Sequence, residues 1–183
     1  MKQSLVFMLA LLSVSAIHAQ KYFTKAGNIA FFSDTALEKI EAHNYKATSV
    51  IDLTSGQMEF AVLIKAFQFE KALMQEHFNE NYMESDKFPK ATFKGEIQNL
   101  SDINFKKDGD YTAKIKGKLT IHGVTKDIET TGTFNVKSGK ISASSVFNVL
   151  VADYGIKIPT VVKDNVAKEV KIEVNIDYEE LKG

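Results

Sequence analysis

The sequence predicts a mainly all-β protein: an eight-stranded antiparallel β-barrel with an inserted α-helix around residues 69–83. Three observations predict it. Apolar and polar residues alternate with period two along most of the chain, which places them on opposite faces of strands. Short Gly-, Ser- or Asp-containing turns separate the alternating segments, as consecutive hairpins require. One stretch alone abandons alternation for a repeat of four.

Taken in order, the chain begins with Lys2, an uncharged apolar or small-residue run from Leu5 to Ala16, and a small residue at Ala19. This order predicts a secretory signal over residues 1–19, cut near Ala19, followed by one domain over residues 20–183. The run is too short to span a bilayer, which takes roughly 20 apolar residues. The expected product is periplasmic or secreted and not an integral membrane protein.

The first half of the domain carries strands near residues 28–33, 45–53, 58–67 and 91–98, with Thr54-Ser55-Gly56 turning the chain between the second and third. Phe69 to Met83 contains no Gly, Pro or β-branched residue, and Met74, Phe78 and Tyr82 recur every four positions beside Leu73. That is a helix with one apolar stripe, and Pro89 follows where a helix does not easily continue.

The second half alternates more cleanly. Tyr111, Ala113, Ile115, Gly117, Leu119 and Ile121 share one face, against Thr112, Lys114, Lys116, Lys118 and Thr120. His122-Gly123 turns into Ile128, Thr130, Gly132, Phe134 and Val136, and Ser138-Gly139 turns into Ile141 through Val151. The last strand alternates Val170, Ile172, Val174, Ile176 and Tyr178 with charged or amide residues.

Strands with one apolar face suit a sandwich or a barrel. Small residues on the apolar faces favour the barrel: Ala47, Ser49, Ala91, Gly95, Ala113, Gly117, Gly132, Ala143 and Ser145. They leave room, and Phe60, Phe93, Phe134 and Phe147 supply an apolar lining. An eight-stranded barrel either fills with side chains or holds one small ligand, and both outcomes fit these residues.

Composition excludes several functions. Cysteine is absent, which removes disulfides, thiolate metal sites and thiol nucleophiles. Charge is balanced at 23 basic and 23 acidic residues, and every basic residue is lysine. Without guanidinium forks or a basic patch, nucleic acid is not an expected partner. No catalytic motif is present, so no enzymatic activity, catalytic residue or cofactor is expected. His122 reads as a turn residue, His43 suggests nothing specific, and His77 with Glu80 lacks further metal ligands nearby, so no metal site is expected.

Three collinear stretches resemble the YceI-like family of exported, lipocalin-like barrels. They are Gly27-Asn28-Ile29-Ala30-Phe31-Phe32-Ser33; Met74-Gln75-Glu76-His77-Phe78 through Lys87-Phe88-Pro89-Lys90-Ala91-Thr92-Phe93-Lys94-Gly95; and Gly117-Lys118-Leu119-Thr120-Ile121-His122-Gly123-Val124-Thr125-Lys126. Asp153-Tyr154-Gly155-Ile156 resembles the family's acidic-aromatic-Gly element. The resemblance implies an apolar tunnel for a polyisoprenoid, an isoprenoid quinone or a fatty-acid-like chain. It also implies homodimers in some members, though no segment here marks an interface.

The candidate tunnel residues are Phe31, Phe60, Val62, Ile64, Phe67, Phe69, Leu73, Phe78, Phe93, Phe134, Phe147 and Ile156. Phe67, Phe69, Leu73, Met74 and Phe78 would form a lid over one barrel mouth or, equally, ordinary helix-on-barrel packing. The lack of arginine favours a neutral or weakly polar head group over a pyrophosphate. A lipid carrier is the leading reading, and a ligand-free structural or stress-response barrel acting through its surface is the alternative.

Overall fold

The computed structural model describes residues 20–182, and the signal expected at residues 1–19 lies outside them. Alternation becomes nine strands: β1 (Lys21–Asp34), β2 (Lys39–Asp52), β3 (Gln57–Leu63), β4 (Gln68–Phe69), β5 (Lys90–Ile97), β6 (Gly109–Ile121), β7 (Val124–Lys137), β8 (Lys140–Leu150) and β9 (Glu169–Glu180). Eight are long, and β4 is a two-residue rung on β2, with Ala42 opposite Phe69. Each long strand pairs antiparallel with the next, and β9 returns to β1 with Ile172 opposite Phe31. The result is a closed, up-and-down, eight-stranded barrel without a free edge among its long strands.

Turn residues enforce the meander. His122 and Gly123 have φ of 51° and 75°, and Ser138 and Gly139 have 50° and 77°. Positive φ at both central positions makes the two-residue hairpin turn whose twist matches the flanking strands. Between β2 and β3, Asp52 Oδ1 accepts the Thr54 N–H at 2.8 Å and Gly56 takes a φ of 75°.

β2 starts at Lys39, ahead of residue 45, and β3 ends at Leu63, short of residue 67, where Ile64–Ala66 turns as a 3-10 helix. Two more elements differ from their expected extents. β1 begins at Lys21, ahead of residue 28, because its pairing with β2 slips between Thr24 and Gly27 and again between Gly27 and Ile29. These bulges pass the buried set from Tyr22 and Thr24 to Gly27 and Ile29, so alternation cannot be read through them.

The helix is the other. Only Ala72–His77 is α-helical (α1), and Phe78–Tyr82 forms a wider π turn in which the Met83 N–H donates to Phe78 O, five residues back, at 2.9 Å. Phe69 is held on β2 as part of β4, where its N–H donates to Gln75 Oε1 at 3.3 Å, so the helix starts late. No residue of α1 or the π turn is buried.

Both ends of the barrel are defined by what packs there. At the floor, Ile51, Met58, Ile97, Ala113, Phe134, Val136, Ile141 and Ile176 form a core. The β5–β6 connection folds Leu100, Ile103 and Phe105 against it, with Phe105 edge-on to Phe134 at 5.4 Å. The opposite end is ringed by the β1–β2 turn, the α1 segment, the His122-Gly123 turn and the β8–β9 connection.

Outward faces carry ion pairs, including Lys116–Glu129 at 2.7 Å and Lys118–Asp127 at 2.8 Å. Each adds little stability in water. No helix among the described residues is long and apolar enough to cross a membrane.

Candidate functional site

Above the floor the barrel is hollow. The cavity has a volume of about 530 Å³, within the range of roughly 300–1,000 Å³ common for small-molecule sites. β7 records the change from core to cavity. Its inward residues Val136, Phe134 and Gly132 are buried, whereas Thr130 and Ile128, nearer the mouth, are only partly covered. On β8, Ile141 is buried while Phe147 and Val149 are partly covered. Apolar side chains that face an empty volume lack partner atoms on that side, so an apolar occupant would complete their burial. Leu73 lines the cavity and is still 60% exposed, so the cavity reaches the surface at the α1 end.

All twelve candidate residues line this cavity. Phe60, Phe93 and Phe134 lie deepest, beside or within the floor cluster. Phe31, Val62, Phe67, Phe69 and Phe78 gather at the α1 side. There Phe78 is the hub, 5.0 Å from Phe69, 5.3 Å from Phe31 and 5.7 Å from Phe67 between ring centroids. Ile64 is buried beneath this group, Phe147 projects from β8, Ile156 comes from the β8–β9 connection, and Leu73 sits on the rim. Phe67, Phe69 and Phe78 therefore pack on Phe31 and face the hollow together.

The small inward residues divide in two. Ala91, Gly132, Ala143 and Ser145 line the cavity. Gly95 and Gly117 do not make room there, because the Phe93 ring lies over them: a Cβ at Gly95 would stand 2.4 Å from Phe93 Cζ, and one at Gly117 2.6 Å. Ala47, Ser49 and Ala113 are buried in the wall and floor.

Sequence reasoning missed most of the β8–β9 connection. Val151, Tyr154, Ile158, Val162 and Val166 enter the cavity from it. The signal was available: Ile156 and Ile158 flank Lys157 just before Pro159, and Val162 and Val166 follow. A long connection rich in aliphatic residues belongs over an interior.

Polar groups concentrate at the mouth. Glu38 Oε2 accepts Asn165 Nδ2 at 3.1 Å, and Lys71 Nζ stands 3.8 Å from Glu38 Oε1. Burial raises the pKa of the Tyr82 hydroxyl above its usual value, and the charge of Glu38 adds to the rise. Two polar groups on the inner wall find protein partners. Ser49 and Tyr178 share a 2.9 Å hydrogen bond, and Ser145 Oγ donates to Thr131 O at 2.7 Å.

His122 fastens the mouth from outside. Its Nε2 lies 2.8 Å from Glu84 Oε2, its Nδ1 lies 3.2 Å from Tyr154 O, and its ring is edge-on to Phe88 at 4.6 Å. His77 lines the cavity near α1, and His43 meets Glu41 at 2.6 Å on the outer wall. Among the described residues, no group of three or more His, Asp or Glu side chains is placed to hold a metal.

The model of the YceI-like domain matches residues 15–178. The chain belongs to the YceI-like family. A search of curated proteins found no match. Among solved structures, the YceI-like barrel is similar to a polyisoprenoid binding domain from Saccharophagus degradans implicated in plant cell wall breakdown. The identity is 15%, the TM-score 0.77, and the match covers 89% of this chain and 99% of that one. It is also similar to Burkholderia cenocepacia BcnA, at 15% identity and a TM-score of 0.69 over 84% and 96% of the two chains. The Campylobacter jejuni YCEI protein matches at 20% identity and a TM-score of 0.51 over 99% and 94%. At these identities the likeness shows the YceI-like fold.

Proposed function

We propose that this protein is an exported carrier that holds a long apolar chain (a polyisoprenoid, an isoprenoid quinone or a fatty-acid-like chain) in the barrel, tail toward the floor. The observation that carries this reading is the cavity itself: about 530 Å³, walled by aliphatic and phenyl side chains, sealed at the floor and reached from the α1 end. Each methylene moved from water into such a space contributes about 0.8 kcal/mol, so a chain of modest length is retained without covalent attachment. The likeness to a polyisoprenoid binding domain supports the same reading.

Residues 1–19 serve as the export signal and residues 20–183 as the binding domain. The twelve aromatic and aliphatic candidates form the wall that meets the tail. The head group stays at the mouth, among Glu38, Lys71, Tyr82 and Asn165. A carboxylate at that position and the absence of arginine favour an uncharged, hydrogen-bonding head over a pyrophosphate. Binding, not catalysis, is the activity.

Native mass spectrometry of the protein purified from its own compartment, followed by organic extraction, tests this. The expected result is one long-chain lipid per barrel with a neutral or weakly polar head. A protein that is empty and also refuses prenols and quinones on titration would overturn the carrier reading in favour of a barrel that acts through its surface.

A further inference from the structure

We propose that the seam between β7 and β8 is a side portal through which a long apolar chain enters the cavity. The inference rests on the carrier reading and adds the route that the cargo takes. Its basis is where the hydrogen-bonded ladders end. β6 and β7 pair as far as Ile121 and Val124 at the mouth, and β8 and β9 pair as far as Leu150 and Glu169. The β7–β8 ladder starts near the floor at Lys137 and Lys140 and stops at Gly132 and Ser145. Above that pair each strand follows its other neighbour, so β7 and β8 part.

The β2–β3 ladder stops in the same way, at Thr48 and Ala61. In the ring of long strands the two seams lie opposite each other. The barrel is thus two sheets, β3-β5-β6-β7 and β8-β9-β1-β2, joined near the floor and parting toward the mouth. The chain plugs one seam itself. Ile64–Ala66 and β4 lead from β3 back to β2, Ile64 and Phe67 are buried, and Asn44 Nδ2 donates to Leu63 O at 2.8 Å. The other seam is only framed. At its lower end the Ser145 hydroxyl donates to Thr131 O at 2.7 Å, and at its upper end His122 Nδ1 lies 3.2 Å from Tyr154 O. Between those ends no strand among the described residues pairs into it.

The frame suits an alkyl chain. Ile128 and Thr130 on one side, and Phe147 and Val149 on the other, line the cavity and are only partly covered. Val146 and Leu150, on the outer face of β8, are 58% and 48% exposed. The stretch between them spans roughly 14 Å at the rise of a strand. Backbone groups that face the seam have no ladder partner and turn to water, and a wall without ladder bonds is the part that yields most easily. A chain that parts the seam lies down sideways along the cavity. Its tail reaches the floor without first passing Glu38 and Lys71 at the mouth.

The test exploits the absence of cysteine. Continuing the register of Gly132 and Ser145 sets Glu129 against Asn148, both exposed on the outer face. In the mature Glu129→Cys/Asn148→Cys variant, a short bis-maleimide staples the seam after the protein has folded. A Lys118→Cys/Asp127→Cys variant carries the same staple across strands that are already paired, β6 and β7. Native mass spectrometry of delipidated protein follows geranylgeraniol uptake in time, and phenylnaphthylamine fluorescence reports the cavity separately.

The β7–β8 staple is expected to slow geranylgeraniol uptake at least about tenfold and to leave the final occupancy unchanged. The β6–β7 staple is expected to leave the rate at that of wild type. A β7–β8 staple that does not change the rate, or equal slowing by both staples, would overturn the portal while the carrier reading stands. A wild type that takes up neither geranylgeraniol nor phenylnaphthylamine would overturn the carrier reading and the portal with it.

Discussion

His122 Nε2 lies 2.8 Å from Glu84 Oε2 across 38 residues of sequence, and both residues hold positive φ, 51° and 41°. The pair joins the β6–β7 turn to the segment that leaves the π turn. Non-glycine residues in the left-handed region store strain, so the contact has to offset it. His122→Ala is expected to cost roughly 1–3 kcal/mol in urea unfolding. Amides of residues 84–88 should lose hydrogen-exchange protection before those of β6 and β7. Equal protection in wild type and variant would show that the bond does not fasten this segment.

Phe78 anchors the α1 segment through Phe31, Phe67 and Phe69. With no residue of α1 or the π turn fully buried, few other contacts compensate for its loss. Phe78→Ala should therefore destabilise by about 1–3 kcal/mol and open residues 70–83 to limited proteolysis while the barrel strands resist. Cleavage at the same rate as wild type would place the anchorage elsewhere.

Tyr178 predicts an alkaline limit. Burial raises the pKa of its hydroxyl from 10.0 to about 12, while the hydrogen bond with Ser49 acts in the lowering direction. The folded state holds the proton more tightly than the unfolded chain. The associated stability is present below about pH 10 and is lost between about pH 10 and 12, some 2–3 kcal/mol in all. Lysines titrate in the same interval, so the informative quantity is the difference between wild type and Tyr178→Phe. The variant should show a shallower fall in stability across that window, and identical slopes would contradict the assignment.

Gly95 and Gly117 face each other across β5 and β6 under the Phe93 ring. In Gly117→Ala the new Cβ would stand 2.5 Å from Lys94 O and 2.6 Å from Phe93 Cζ. Backbone cannot yield as a side chain can, and overpacking of this kind costs roughly 1–3 kcal/mol. Adding Phe93→Leu should relieve the ring clash but not the carbonyl clash. The double variant should thus lose less than the sum of the single losses in thermal unfolding, and strict additivity would argue that the ring does not rest there.

The β6-to-β9 half of the barrel was legible because its pairing is regular: Gly109 to Ile121 oppose Val136 to Val124 without a slip. β1 was legible only in part, since bulges on either side of Gly27 break the parity on which alternation depends. The helix was placed correctly and drawn too long, because residue periodicity does not reveal that Phe69 joins β2. The cavity wall was readable where phenylalanines fall on inward positions. Its volume was not, because a small residue under a ring and a small residue beside the hollow look alike in sequence. Gly117 under Phe93 and Ala143 on the cavity wall are the two cases. Most of the β8–β9 wall escaped because its apolar residues fall in short turns without a sustained period.

The β1–β9 pairing also sets an order on folding. β1 is made first and β9 last, so the earliest strand waits for nearly the whole chain before its second neighbour exists. Until then β1 and β8 each present an unpaired backbone edge, a template for pairing with another molecule. Contacts so distant in sequence form slowly. A chain that stops short of Glu169 should therefore aggregate instead of forming a smaller barrel, and the dangerous interval for this protein is the one before its last twelve-residue strand arrives.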